Sequence, residues 1–354
     1  MGLDRRGNPV ESDFPPFFMK LLIIGTGSIG ERHLRCFQQL ERCDAIAFCE
    51  THAPRRAEIA GRYGIPAKLA FPDLESALAD GHYDAAVIAT PAPTHIPIAT
   101  RLAALGTHLL IEKPLSLAID GIEALVEVVK EKNLTVAVGY VHRAHPAVEA
   151  MKEALDSGRF GRVLQIRTAS GQAFATLRPA YRDVYFAKPE LGGGAINDMI
   201  THFYNVGDWL AGPIRRVMTD ADHQALEGVT VEDTVHSLVR QGADGGVMGS
   251  YALNLYQHPN EVLITVVCEG GTLQAEYAKK RWSWMTEASG AWHHEAVEMP
   301  EVDVMYRRQN GAFLDAIEGK GVVLCTLEEG IRTLKVNLAS HLSVKEGTWQ
   351  TVNA

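Results

Sequence analysis

Three glycines near the start of the chain have the spacing to hold a phosphate. Gly25-x-Gly27-x-x-Gly30 follows the apolar run 21–24 and opens a helical pattern, with Ser28 and Ile29 between the second and third glycines. In that context Gly25 permits a tight turn, Gly27 lets the backbone approach a pyrophosphate, and Gly30 lets a helix pack closely on the strand. The anion then meets the positive end of the helix. Glu50 lies 20 residues after Gly30, at the end of the apolar run 45–49. A carboxylate at that place accepts hydrogen bonds from ribose hydroxyls and repels a 2′-phosphate. The implied chemistry is binding of a dinucleotide, with NAD expected. NADP stays possible because Arg55 and Arg56 follow closely, and arginine accommodates a 2′-phosphate. The plain alternative is a tight turn in an α/β protein that binds nothing.

The surrounding pattern supplies the scaffold such a loop needs. Apolar runs at 20–24, 45–49, 84–89, 108–111 and 134–138 read as strands, with a short one near 68–71. Helical stripes lie between them: Ile29, His33, Cys36, Phe37 and Leu40; Ile96, Ala99, Leu102 and Ala103; Ile122, Leu125, Val126 and Val129. This alternation predicts a doubly wound parallel sheet with helices on both faces. Ligands of such sheets sit at the carboxyl ends of the strands. Three candidate site segments fall there: the glycine loop, the stretch from Thr90 and Pro91 to His95, and Glu112-Lys113-Pro114. His95 could equally cap its helix or face water, and Lys113, taken alone, could be a solvated loop lysine. After about residue 145 one helix (146–156) gives way to strand-like stretches at 163–171, 216–222, 234–241, 247–255, 262–269, 272–276 and 281–287. A helix near 197–210 interrupts them, and helices at 304–318 and 327–345 close the chain. Neighbouring strands joined by short turns predict a mostly antiparallel open sheet. The expected division is an extension over 1–18, a Rossmann domain over 19–144, and an α+β domain for substrate binding and oligomerisation over 145–354.

Composition narrows the class. The chain has 354 residues, 46% apolar and 22% charged, with a net charge of −9. That is enough chain for two domains, and no basic surface for nucleic acid or anionic membrane is implied. No apolar run reaches membrane-spanning length. Five cysteines without a C-x-x-C spacing read as free thiols of a reducing, cytoplasmic setting. His293-His294 lacks a third ligand at turn or helical spacing, so no metal is expected and an exposed strand is the better reading.

The order of motifs resembles the glucose–fructose oxidoreductase/inositol dehydrogenase (Gfo/Idh/MocA) family. The resemblance rests on Gly25-x-Gly27-x-x-Gly30-x-x-His33, Ala89-Thr90-Pro91 with His95, Glu112-Lys113-Pro114, and Gly139-Tyr140 with Arg143 and His145-Pro146. It continues through Gly192-Gly193-Gly194 to Asp198 and His202, and on to Thr326-Leu327-Glu328-Glu329-Gly330. It implies an NAD(P)-dependent dehydrogenase or reductase of sugars, cyclitols or related polyols. It also implies that Lys113 and an Asp-x-x-x-His pair, Asp198 and His202, are catalytic. Thr90, Pro91, His95, Glu112 and Lys113 are the expected further cofactor contacts. Two departures stand out. Asn205 replaces an Asp the family often carries three residues after the His, and Thr51-His52 replaces the Ser/Arg pair of NADP-preferring members.

These residue types suit alcohol oxidation on their own terms. Removing a hydride from a secondary alcohol requires that a proton also leave the hydroxyl. A histidine of ordinary pKa, about 6.5, takes protons near neutrality, and Lys113 can stabilise the developing negative oxygen. Asp198 and His202 are four apart and so share a helix face. Arg143, together with Arg178, Tyr181, Arg182 and Tyr185 in the segment before that helix, offers donors to a polyhydroxyl or anionic substrate; salt bridging within the protein is an equal reading for at least one arginine. The strands over 234–276 are rich in Val, Leu, Ile and Tyr, and one face of that sheet lacks enough helices to cover it, which predicts a homodimer or homotetramer. A cofactor-recycling oxidoreductase with a tightly held nucleotide and a non-enzymatic nucleotide sensor are the alternatives carried.

Overall fold

The computed structural model describes residues 19–299, 301 and 303–353, so the expected extension lies outside the described residues. The first half runs β1 (Lys20–Ile24), α1 (Ser28–Leu40), β2 (Ala45–Cys49), α2 (Ala53–Tyr63), β3 (Ala70–Phe71), α3 (Leu74–Asp80), β4 (Ala85–Ile88), α4 (His95–Ala104), β5 (His108–Ile111), α5 (Ile122–Glu131) and β6 (Val136–Val138). Its strands pair in parallel in the order β3-β2-β1-β4-β5-β6. Strand residues alternate between two cores, which is why these runs are apolar throughout. Leu22, Ile24, Ala86, Ile88, Leu109 and Ile111 pack on one side with Leu102 and Leu125. Leu21, Ile23, Ala85, Val87 and Leu110 pack on the other with Leu34, Phe37 and Ile59. Burying each large aliphatic side chain contributes about 1.5–3 kcal/mol. The strand order reverses at β1 and β4, so the crevice that receives ligands opens between the Gly25 loop and Thr90.

The chain continues through α6 (Pro146–Asp156), β7 (Val163–Ala173), α7 (Phe174–Leu177), α8 (Thr201–Ala211), β8 (Ile214–Asp222), β9 (Thr234–Gln241), β10 (Val247–Asn254), β11 (Tyr256–Cys268), β12 (Gly271–Glu276), β13 (Arg281–Met285), β14 (His293–Ala296), α9 (Val304–Ile317), α10 (Leu327–Glu346) and β15 (Gln350–Thr351). The second sheet has the order β14-β13-β12-β11-β7-β10-β9-β8-β15 and is antiparallel except where β10 runs parallel to β7. Helices α6, α8 and α10 pack on one of its faces. The sequence puts most of its Val, Ile and Tyr on that side: Val235, Val239, Tyr251, Leu253, Ile264 and Val266 are all buried. The opposite face is mixed. Leu238 and Met248 are half-exposed there, interleaved in register with Ser250 and Arg240. The Val, Leu, Ile and Tyr of 234–276 therefore lie mainly on the helix-covered face.

Helices α9 and α10 return to the first sheet. Phe313 and Leu314 join the core under Leu21 and Ile23, and Leu327 and Leu334 join the core under Leu22 and Ile24. Residue 145 lies between the last strand of the first sheet and the first strand of the second, and packing of the closing helices crosses that point. Helix α10 begins with a capping box: the Thr326 hydroxyl accepts from the Glu329 amide, and the Glu329 carboxylate accepts from the Thr326 amide. Thr326→Ala should lower stability by about 1 kcal/mol in thermal unfolding, the usual cost of a lost N-cap.

Candidate active site

The glycine loop has the geometry an anion needs. Gly25 has φ of +84°, and a Cβ on Gly30 would stand 1.9 Å from the Gly25 carbonyl oxygen, so the helix can approach only without one. A Cβ on Gly27 would meet nothing within 4 Å. Gly27 caps α1 without any side-chain hydrogen bond, which leaves the first-turn amides around Ser28, Ile29 and Gly30 open to an anion. Beside the loop, Glu50 accepts the Thr26 hydroxyl (2.8 Å) and amide (3.3 Å) and the His52 amide (3.0 Å). Burial works against its charge, but these bonds and Arg55 outweigh it and hold the carboxyl below its usual range. These residues fit a dinucleotide: an uncapped helix start for its pyrophosphate and a fixed carboxylate for a ribose. Both arginines that left NADP open are engaged: Arg55 donates to the Thr26 carbonyl and Glu31, and Arg56 to the Glu50 carbonyl.

At the far end of the crevice the two sheets meet. Lys113 follows β5; its ammonium lies 2.7 Å from Asp198 Oδ1 and donates also to the Asp198 carbonyl at 2.7 Å. The pair is deeply set, with side-chain exposures of 11% and 7%. Asp198 lies on a π-helical turn, Ile196–Ile200, that precedes α8, where the sequence suggested a plain α-helix. The wider turn aims both the carbonyl and the carboxylate of Asp198 at Lys113. The glycine lead-in makes room for it: Gly194 has φ of +88°, and a Cβ there would strike the Glu232 carboxylate. Tyr185 donates to Asp198 Oδ1 at 2.6 Å. Burial opposes the Asp198 charge, but Lys113, the Tyr185 hydroxyl and the more distant Arg178 prevail and keep it ionised below the usual carboxylate range.

His202 departs from its expected chemistry. The residue is 5% exposed, and its Nδ1 is buried without a partner among the described residues. Burial, then His142 and Lys113, push its pKa well below the ordinary histidine value. It is a neutral ring, not a group poised at half protonation.

Several expected contacts are spent elsewhere. Arg143 is fully buried; it donates to Asn205 Oδ1 (2.7 Å) and the Leu324 carbonyl (2.9 Å) and pairs with Glu329 (2.7 Å), so it holds the domain together and does not reach the crevice. Asn205 also donates to Thr333 Oγ1 (2.9 Å). Tyr181 and Arg182 both donate to the Glu227 carbonyl and line a separate cavity with Phe174, Tyr256 and His258. His95 is buried with Nε2 2.7 Å from the Thr90 carbonyl and Nδ1 3.0 Å from the Pro114 carbonyl. It lies between two crevice loops, away from solvent. Glu112 turns inward. Its Oε1 lies 2.8 Å from His33 Nε2, and its Oε2 accepts the Lys113 amide at 3.1 Å. His33 in turn meets Asn310 Oδ1 of α9 at 2.9 Å. Thr90 and Pro91 do stand at the crevice, with Thr90 against Gly25. Sequence reasoning saw His33 as a helix-face residue and missed it as the partner of Glu112. Their separation of 79 residues left no local signal.

The family model described as an oxidoreductase family with an NAD-binding Rossmann fold matches residues 19–140, and that of the GFO/IDH/MocA C-terminal domain matches residues 148–274. The chain belongs to the Gfo/Idh/MocA family. Among curated proteins it is 29% identical over 261 residues to an inositol 2-dehydrogenase of Acidothermus cellulolyticus, covering 72% of each chain. It is 32% identical over 136 residues to a UDP-N-acetylglucosamine 3-dehydrogenase of Acidithiobacillus ferrooxidans, covering 38% of this chain and 41% of that one. It spans 60% and 54% of two other curated relatives, an oxidoreductase of Synechocystis and an inositol 2-dehydrogenase of Rhizobium meliloti. A structure of levoglucosan dehydrogenase in complex with NADH superposes with a TM-score of 0.83 at 22% identity, over 95% of this chain and 99% of that one, a likeness of fold. In this Gfo/Idh/MocA chain, Arg143→Ala should cost roughly 3 kcal/mol by stranding Glu329 and Asn205. Denaturant unfolding should show that loss, while NADH affinity of the folded protein stays unchanged.

Proposed function

We propose that the chain is an NAD-dependent dehydrogenase that oxidises a secondary alcohol of a sugar, sugar acid or cyclitol. The observation that carries this is the Lys113–Asp198 pair with the neutral His202 beside it, at the crevice end opposite the glycine loop. The nicotinamide supplies hydride acceptance when bound. Lys113 then hydrogen-bonds the substrate oxygen and stabilises its growing negative charge. His202, uncharged, accepts the proton, and in the reverse direction returns it. Asp198 and Tyr185 hold the ammonium in place, and Arg178 offers a charge at the mouth for an anionic substrate. Glu50, with Arg55 and Arg56 already engaged, supports NAD over NADP.

A panel of sugars, sugar acids and inositols with NAD and NADP, followed by the absorbance of the reduced cofactor, tests the activity. NAD should be preferred, and Glu50→Ala should narrow the preference; equal or better kinetics with NADP would refute it. Lys113→Ala should lower turnover by about 10²–10³ and leave NADH binding intact. Near-normal rates in both Lys113→Ala and His202→Ala would move the catalytic groups elsewhere.

The reading includes assembly through the open face of the second sheet, where Leu238 and Met248 stand exposed among polar neighbours. A homodimer or homotetramer is expected, and a monomer mass by light scattering at micromolar concentration would overturn it. The unpaired cysteines support a reducing, cytoplasmic setting, and among the described residues no helix is long and apolar enough to cross a membrane.

A further inference from the structure

We propose that His142 and Tyr277 are positioning residues that lock the His202 ring in place and keep water away from it. The inference rests on the proposed role of His202 as proton acceptor.

The two residues come from opposite sheets. His142 lies in the turn Val141–Ala144 directly after β6, and Tyr277 opens the turn Tyr277–Lys279 directly after β12. The His142 ring lies against His202, with centroids 4.6 Å apart, and meets Phe203 edge-on. Tyr140 closes the next side of His202, also edge-on. His142 Nδ1 lies 3.2 Å from the Tyr277 hydroxyl, which has no other protein partner among the described residues. A phenol is a better donor than a neutral imidazole, and an imidazole nitrogen a better acceptor than a phenol oxygen. The hydroxyl therefore donates, and the His142 proton is fixed on Nε2. Tyr277 is itself clamped, stacked on His145 at 3.7 Å, and His145 Nδ1 is held by the Ala147 amide.

The charged and titratable groups facing this cluster are Lys113 and Asp198 at the pair, Tyr140, His145, Tyr277, and Arg308 beyond His145. Lys113 already puts one cation beside both His142 and His202. A second cation on His142 would oppose proton uptake by His202. Burial first, then His145 and Lys113, prevent it, holding His142 at about 3; burial, then Arg308, holds His145 at about 4. The result is a row of uncharged rings packed from His145 through Tyr277 and His142 to His202, whose Nδ1 is buried without a partner among the described residues.

Four variants and two readouts test this. In 15N spectra of the unliganded wild type, His142 should show the Nε2–H tautomer and stay uncharged from neutral pH down to about pH 5. Tyr277→Phe keeps the stack on His145 but should turn that signal into a tautomer mixture. It should lower kcat about five- to tenfold, the rate equivalent of one hydrogen bond, with KM and NADH affinity unchanged. His142→Ala admits water and should raise the His202 pKa. An acid limb in kcat should then appear between about pH 5.5 and 7, where the wild type is flat. His142→Phe keeps the ring and should keep the flat profile, and His142→Asn should fall with Ala. A charged His142 at pH 6, an unchanged tautomer in Tyr277→Phe, or a flat profile in His142→Ala would each overturn the proposal. If the spectra come out as expected while no polyol is turned over, the dehydrogenase reading fails and the His142–Tyr277 pairing stands.

Discussion

Everything in the crevice depends on one ion pair, Lys113 with Asp198, formed between residues the two sheets supply separately. Taking a lysine and a carboxylate out of water is costly, and each tolerates burial only because the other is there. The pair therefore fixes the relation between the loop after β5 and the turn before α8. The protein secures each half from behind. Glu112, buried against His33 of α1, takes the Lys113 amide, and His33 reaches Asn310 of α9. Tyr185 and the π turn hold Asp198. The helix that opens at the glycine loop thus shares a buried polar chain with Lys113.

The charge balance follows from that pair. One cation and one anion cancel, and the rings of His95, His142, His145 and His202 are all pushed toward neutrality by burial. In the proposed reaction Lys113 is the cation offered to a substrate oxygen that gains negative charge. In so dry a place that charge acts more strongly than it would in water.

The first sheet was legible because parallel strands buried on both faces read as unbroken apolar runs: β1, β2 and β5 lie where the sequence puts them. Shortfalls came at edges. The ends of the 84–89 and 134–138 runs lie outside the paired segments, β11 extends back through a polar stretch because Tyr256 pairs with Ala173, and β15 is two residues held only by β8. Motif order pointed to Lys113, Asp198 and His202, and the structure brings Lys113 onto Asp198 and its charge near His202. What sequence could not show is where a donor is spent. Arg143, Tyr181 and Arg182 look like substrate ligands by type, yet distant carbonyls and carboxylates claim them. The histidine pKa could not be read either, because burial is a property of the fold and not of the residue. The π turn was hidden for a similar reason: its pattern of apolar residues is close to that of an α-helix, and only the demands of Gly194 and Lys113 distinguish it.

The central claim is that Lys113 and Asp198 act as one unit joined across the two sheets. A double-mutant cycle on kcat/KM with Lys113→Met and Asp198→Asn measures this directly. The account predicts that each single change costs at least about a hundredfold and that the double variant is no worse than the poorer single one, the mark of a shared function. Losses that simply multiply would show two independent residues and contradict it.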